Sequence, residues 1–199
     1  NKITNNDVLE AFLSTSKEKF ISEDKINICY SDQDISIKGQ RGYLKNLHLA
    51  QILHYADIKN NEKVLHIGGL TGYLSVLIAK LCNKIYVTDN DQSFVDSIIK
   101  NFSNNKVDNG KVLKEEFSEG LKSEGPYDLI VIDCPQYNFN LDLLNQVNVG
   151  GRIVYIEKIN EELSKAYKMI KYENNFSKVF LFDVFSNFYL TKQEEGFNF

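Results

Sequence analysis

The chain of 199 residues reads as an α/β protein with a mostly parallel sheet, and three observations predict it. Short apolar runs recur at strand length, at 64–67, 85–87, 127–132 and 152–156. Segments with helical apolar spacing lie between them, among them 74–81 and the stretch carrying Phe94, Val95, Ile98 and Ile99. Strands alternating with helices pair in parallel through right-handed crossovers. The third observation is the stretch 63–91, in which strand, glycine turn, helix, strand and acid follow one another. That is the order of a nucleotide-binding βαβ unit, with the acid about 20 residues beyond the first glycine. Gly68, Gly69 and Gly72 supply the turn, where backbone must bend sharply and let a ligand approach without a Cβ. Asp89 closes the second strand, where a carboxylate can accept from both hydroxyls of a ribose.

The other elements follow in order. Asn5-Asn6-Asp7 caps a helix with the apolar face Val8, Leu9, Phe12 and Leu13. A short helix over 17–21, a polar connector over 29–35 and a turn at Gly39-Gln40-Arg41-Gly42 come next. Leu44, Leu47, Ala50, Leu53 and Ala56 mark a helix over 44–56. Asp91 or Ser93 caps the helix through Ile99, and 111–115 is a short strand. The unbroken run YDLIVI at 127–132 predicts a strand buried on both faces. A helix over 139–147 and a turn at Gly150-Gly151 precede the strand at 152–156. Asn160 caps a helix through Leu163, Tyr167 and Ile170. Two aromatic-rich runs, 179–185 and 197–199, suggest a terminal antiparallel pair. Ligands on parallel sheets bind at the carboxyl ends of strands, where strand order reverses. The turn 68–72, Asp89, 115–117 and 133–135 therefore gather around one cleft.

Composition narrows the class. Hydrophobic residues make up 43% and charged residues 25%, which suits one globular unit with a sizeable core. A net charge of −4 gives no electrostatic footprint for nucleic acid. Cys29, Cys82 and Cys134 are odd in number and lack CxxC spacing, so neither a disulfide framework nor a zinc site is indicated. There is no 18-residue apolar run and the start is polar, so neither a membrane span nor a signal peptide is expected and the cytoplasm is the default location.

On the segments VLHIGGLTGYLSVLIAKLC, IYVTDND, YDLIVID and VGGRIVYI, with KEKFISEDKINICYSDQDISI before them and FDVF…GFNF at the end, the chain resembles the protein-L-isoaspartate O-methyltransferases. The likeness covers nearly the whole length. It implies a Rossmann-like S-adenosylmethionine methyltransferase fold, a mostly parallel seven-stranded sheet with an antiparallel C-terminal strand pair and an N-terminal helical segment. It also implies one unit over 1–199, with a substrate-side segment over 1–56 and a cofactor-binding core over 57–199. The implied reaction is methyl transfer from S-adenosylmethionine to a side-chain carboxylate of an isoaspartyl protein or peptide, as in protein repair. The implied donor site is His66, Gly68, Gly69, Gly72, Asp89, Asn90, Glu116, Phe117 and Asp133, with Asp89 on the ribose and Glu116 with Phe117 at the adenine.

Three departures are legible. His66 stands where the family carries an acid at the end of the first strand. Leu70 replaces the middle glycine of GxGxG; Leu is ill suited to positive φ and carries a side chain toward the pocket, so Gly69 is the candidate for the bend. The family's Ser/Thr-rich segment with its Pro is replaced by GQRGYLKN, so no catalytic hydroxyl is assigned. Arg41, Gly42 and Tyr43 occupy that substrate-binding segment, and Arg41 or Lys45 could hold a carboxylate, Arg41 in bidentate fashion. The departures motivate an alternative, a family member that has lost catalysis and acts as a binding or scaffold protein. A weaker alternative, an N-methyltransferase, rests on Asp133-Cys134-Pro135-Gln136-Tyr137, which reads otherwise as a strand-end turn. His48 and His54 do not share a helix face and read as core or surface residues.

Overall fold

The computed structural model describes residues 3–191. Its main sheet has seven strands: β3 (Lys63–Ile67), β4 (Lys84–Asp89), β5 (Gly110–Lys114), β6 (Tyr127–Gln136), β7 (Val147–Lys158), β8 (Leu163–Lys171) and β9 (Phe176–Phe185). They lie in the order β5-β4-β3-β6-β7-β8-β9. The first five in that order pair in parallel; β8 runs antiparallel to both β7 and β9. Strand order reverses between β3 and β6, which sets a crevice at their carboxyl ends. A separate two-stranded hairpin, β1 (Ile35–Lys38) and β2 (Arg41–Tyr43), stands over that crevice.

Four helices form where capping and periodicity ask for them: α1 (Asn6–Leu13), α2 (Asn46–Ala56), α3 (Tyr73–Ala79) and α4 (Gln92–Asn104). The Asn5 side chain accepts from the amides of Asp7 and Val8, and the Asp91 carboxylate accepts from the amide of Ser93. Every residue of α3 is buried, so it is apolar all round and sits between the sheet and the N-terminal elements. One core cluster joins α1, α2, α3 and α4 to the sheet face of Val64, Val87 and Val131. A second lies on the opposite face, where Leu65, Ile67, Ile130 and Ile153 meet Phe117, Leu143 and Leu190.

Three expectations change. The stretch 163–171 is β8, not a helix. Its Ser164, Ala166 and Met169 are buried while Lys165 and Lys168 are not, and packing between β7 and β9 outweighs a sequence that fits either period. Asn160 does cap, but it caps a turn: its Oδ1 accepts from the amides of Glu162 and Leu163 and steers β7 into β8. The antiparallel pair is therefore β8 with β9, and 197–199 lies outside the described residues. The helix over 139–147 is only a 3-10 helix, Leu141–Gln146, because Val147 already belongs to β7.

Candidate functional site

The glycine turn leaves β3 at Gly68, whose φ is +82°. The amides of Gly68 and Gly69 both donate to the carbonyl of Thr88, at 2.8 and 3.3 Å, which fixes the turn to β4. Gly69 is not the bend. A Cβ there would stand 2.5 Å from Val87 Cγ1 and 2.8 Å from Ile98 Cδ1, so position 69 is glycine because β4 and α4 press on it. Leu70 makes the bend instead, at φ +53°. Its side chain is buried in the cluster shared with the helices rather than raised into the crevice. A left-handed Leu costs about 1–3 kcal/mol, which burial of the side chain offsets.

Asp89, at the end of β4, is fully buried and fully bonded. Its Oδ1 accepts from Arg41 Nη1 at 2.8 Å and from the Asp91 amide at 3.0 Å. Its Oδ2 accepts from Arg41 Nη2 at 2.6 Å and from the Leu70 amide at 3.2 Å. The Arg41 guanidinium also lies against two rings, 4.8 Å from the Phe94 centroid and 4.9 Å from that of Phe117. Burial by itself would lower the Arg41 pKa; the bonds and charge of Asp89 outweigh it and the net shift is upward. Arg41 Nε is buried and has no hydrogen-bond partner among the described residues.

A strap formed by 186–191 crosses the same place. The Tyr189 amide donates to the Gln40 carbonyl at 3.0 Å and the Leu190 amide to the Pro135 carbonyl at 2.7 Å. Thr191 Oγ1 donates to the Tyr137 carbonyl at 3.3 Å. A Cβ on Gly68 would meet Leu190 Cδ1 at 3.0 Å and Arg41 Nη2 at 3.6 Å. Arg41 and Leu190 thus lie directly on the glycine turn, and a cavity of about 380 Å³ remains beside them, lined in part by Lys38, Gln40, Asn90, Phe94 and Tyr189.

The other residues singled out from the sequence divide clearly. His66 spends both ring nitrogens inside the protein, Nδ1 at 2.8 Å from Ser75 Oγ and Nε2 at 3.0 Å from Asp133 Oδ1. It ties β3 to α3 and β6, and all three side chains are buried. Asn90 and Glu116 face each other at the rim beside the buried Phe117. Tyr43 is buried, accepts from the Tyr73 amide at 3.0 Å and donates to Thr71 Oγ1, which in turn donates to the Phe20 carbonyl. Burial pushes its phenol pKa up. Gly42 carries the ring of Phe188: a Cβ there would lie 2.5 Å from Phe188 Cζ. Lys45 pairs with Asp32 at the start of α2. His48 stacks on Phe182 and His54 packs on Tyr55. The Pro135 carbonyl is taken by Leu190, and burial raises the Cys134 thiol pKa well above its usual value. Among the described residues no group of three or more His, Cys, Asp or Glu side chains is placed to hold a metal ion.

Sequence reading did not find Leu190 or Phe188. The available signal was the apolar triplet Phe188-Tyr189-Leu190 just beyond β9, too short to show a period.

Comparison with known proteins agrees with this architecture. The sequence model of protein-L-isoaspartate(D-aspartate) O-methyltransferase matches residues 1–189. A protein-L-isoaspartate O-methyltransferase of Brucella anthropi is 28% identical over 147 residues, 74% of this chain and 68% of that protein. A crystal structure from Plasmodium falciparum, assigned as a protein-L-isoaspartate O-methyltransferase in complex with S-adenosyl-L-homocysteine, superposes with a TM-score of 0.80. It is 20% identical, with 96% of this chain and 92% of that one covered. A second protein-L-isoaspartate O-methyltransferase structure gives 0.79 at 16% identity; 92% of this chain is covered, but only 61% of that longer chain. Proteins of this kind move a methyl group from S-adenosylmethionine to an isoaspartyl carboxylate of a protein. The chain belongs to the protein-L-isoaspartate(D-aspartate) O-methyltransferase family.

Proposed function

We propose that this chain, acting as one methyltransferase-like unit over 1–199, methylates a side-chain carboxylate of the isoaspartyl type on a protein or peptide in the cytoplasm, with S-adenosylmethionine as donor. One observation carries the reading: a buried carboxylate, Asp89, ends the strand next to a positive-φ glycine turn at the reversal of strand order. The turn 68–72 would lie under the donor's carboxypropyl arm, Asp89 would hold the ribose, and Asn90, Glu116 and Phe117 would border the adenine. Asp133 and His66 support the floor of that site. The donor supplies an activated methyl group. The protein's own share is alignment, because the accepting carboxylate is already ionised at neutral pH and asks for no general base.

In the arrangement described here the groups that would meet the donor are engaged within the protein. Both oxygens of Asp89 are occupied, and Leu190 and Arg41 cover Gly68. The residue types suit the ligand; the crevice is closed. Titration calorimetry with S-adenosylhomocysteine, together with methyl transfer to an isoaspartyl peptide and to its aspartyl twin, tests the proposal. Binding, transfer confined to the isoaspartyl peptide, and loss of both in Asp89→Asn are expected. The Arg41–Asp89 pair also favours a second reading, a catalytically lost binding protein whose crevice is filled from within. No heat at millimolar S-adenosylhomocysteine and no transfer would favour that second reading.

A further inference from the structure

Arg41 does more than close the crevice. The chain has two arginines, and Arg152 is committed elsewhere: it grips both oxygens of Glu62 at 2.7 and 2.9 Å and donates to the carbonyls of Ala56 and Asp57. Among the described residues Arg41 hydrogen-bonds to Asp89 alone and its buried Nε is unpaired. An unpaired buried donor is a cost, and a guanidinium recognises carboxylates best through two donors side by side. Arg41 rides on the hairpin β1–β2, which belongs to a different sheet from the strand carrying Asp89. Beside it lies the 380 Å³ cavity, with Lys38 on its wall, although Lys38 is itself engaged by Asp91. The substrate of the proposed reaction is a carboxylate, and the segment around Arg41 holds no serine or threonine that could orient it.

We propose that Arg41 exchanges partners: the donor's ribose hydroxyls replace it on Asp89, and the freed guanidinium, swung into the adjoining cavity, takes the substrate's carboxylate. Nε and one Nη hold one oxygen each, and the remaining lone pair of either oxygen stays free to accept the methyl group. This inference rests on the reading of the chain as an isoaspartyl methyltransferase and adds to it an order of binding, donor before substrate. It also explains why a fully bonded acid sits where a ligand should be. Asp89 exchanges two charged donors for two hydroxyls and keeps the amides of Leu70 and Asp91, so it is never left bare.

The test compares wild type with Arg41→Met and Arg41→Lys. Calorimetry with S-adenosylhomocysteine should show Arg41→Met binding at least tenfold more tightly, because the competitor is gone. Steady-state methylation of an isoaspartyl peptide should show its KM raised at least tenfold, with kcat at saturating peptide changed far less. Arg41→Lys should fall between wild type and Arg41→Met on both readouts. Should Arg41→Met fail to fold, hydrogen exchange on the wild type replaces it: S-adenosylhomocysteine should speed exchange at 38–42. A wild type that methylates the peptide while the folded Met variant keeps wild-type S-adenosylhomocysteine affinity, or keeps the peptide KM, overturns the exchange and leaves the methyltransferase reading standing. So does exchange at 38–42 that the ligand leaves unaltered. A wild type that neither binds S-adenosylhomocysteine nor methylates overturns both.

Discussion

Single residues in this chain carry unusually large electrostatic costs, and Lys17 is the clearest. It is fully buried, donates to Asn46 Oδ1 at 2.7 Å, and lies 5.5 and 5.6 Å from the ring centroids of Tyr43 and Tyr73. Burial pushes its pKa down to about 8 from 10.5. The folded state therefore binds fewer protons than the unfolded state between about pH 8 and 10.5, and stability rises with pH across that window. Below about pH 8 the whole penalty is present, roughly 3 kcal/mol at 1.36 kcal/mol per pKa unit. Lys17→Met forfeits about 1 kcal/mol of hydrogen bonding to Asn46. A net gain of about 2 kcal/mol at pH 7 is expected, shrinking as the pH rises toward 10.5. Urea unfolding of both proteins at pH 7 and pH 10 checks it; a variant less stable than wild type at pH 7 would refute the penalty. The same scale shows what sequence can and cannot disclose. The place of Asp89 at the end of β4 was legible from its distance to the glycines, because the strand that follows a glycine turn and helix ends at a set spacing. That Arg41 would occupy it was not, because the two are 48 positions apart and a pairing across sheets leaves no local pattern.

At the scale of elements, the glycine turn behaves as a compromise between backbone and core. The bend falls on Leu70 because position 69 has no room for a side chain and its backbone follows β4 and α4. Leu70→Gly would relieve about 1 kcal/mol of left-handed strain and lose about 3 kcal/mol of buried side chain. The variant should be less stable by about 2 kcal/mol in a denaturant titration, and a gain in stability would show that strain dominates. The elements around the turn, β3, α3, β4 and α4, were legible because period, caps and glycines agree there. The stretch that became β8 was not, because Leu163, Tyr167 and Ile170 fit a helical face as well as a strand. Only the neighbours β7 and β9 decide between them.

Across the whole molecule, the β1–β2 hairpin meets the last described segment over the sheet. The strap 186–191 bonds to the hairpin of residues 35–43 and to Pro135 and Tyr137 at the carboxyl end of β6, so the crevice roof is assembled from segments remote in sequence. Such a roof leaves no trace in a pattern of periods. Leu190 anchors it while nearly buried, and Leu190→Ala should cost about 2 kcal/mol in thermal unfolding. No loss would mean that the strap is not packed. Among the described residues no helix is long and apolar enough to cross a membrane.

The bare backbone at position 42 fixes the course of residues 186–191. A single methyl group there would collide with the Ile35 carbonyl at 2.2 Å and with the aromatic ring lying on it. A side chain at that site would force the hairpin apart or push residues 186–191 off it. Without that strap, the face of the glycine turn now covered by Leu190 would stand open, with no change to the acid or the sheet beneath.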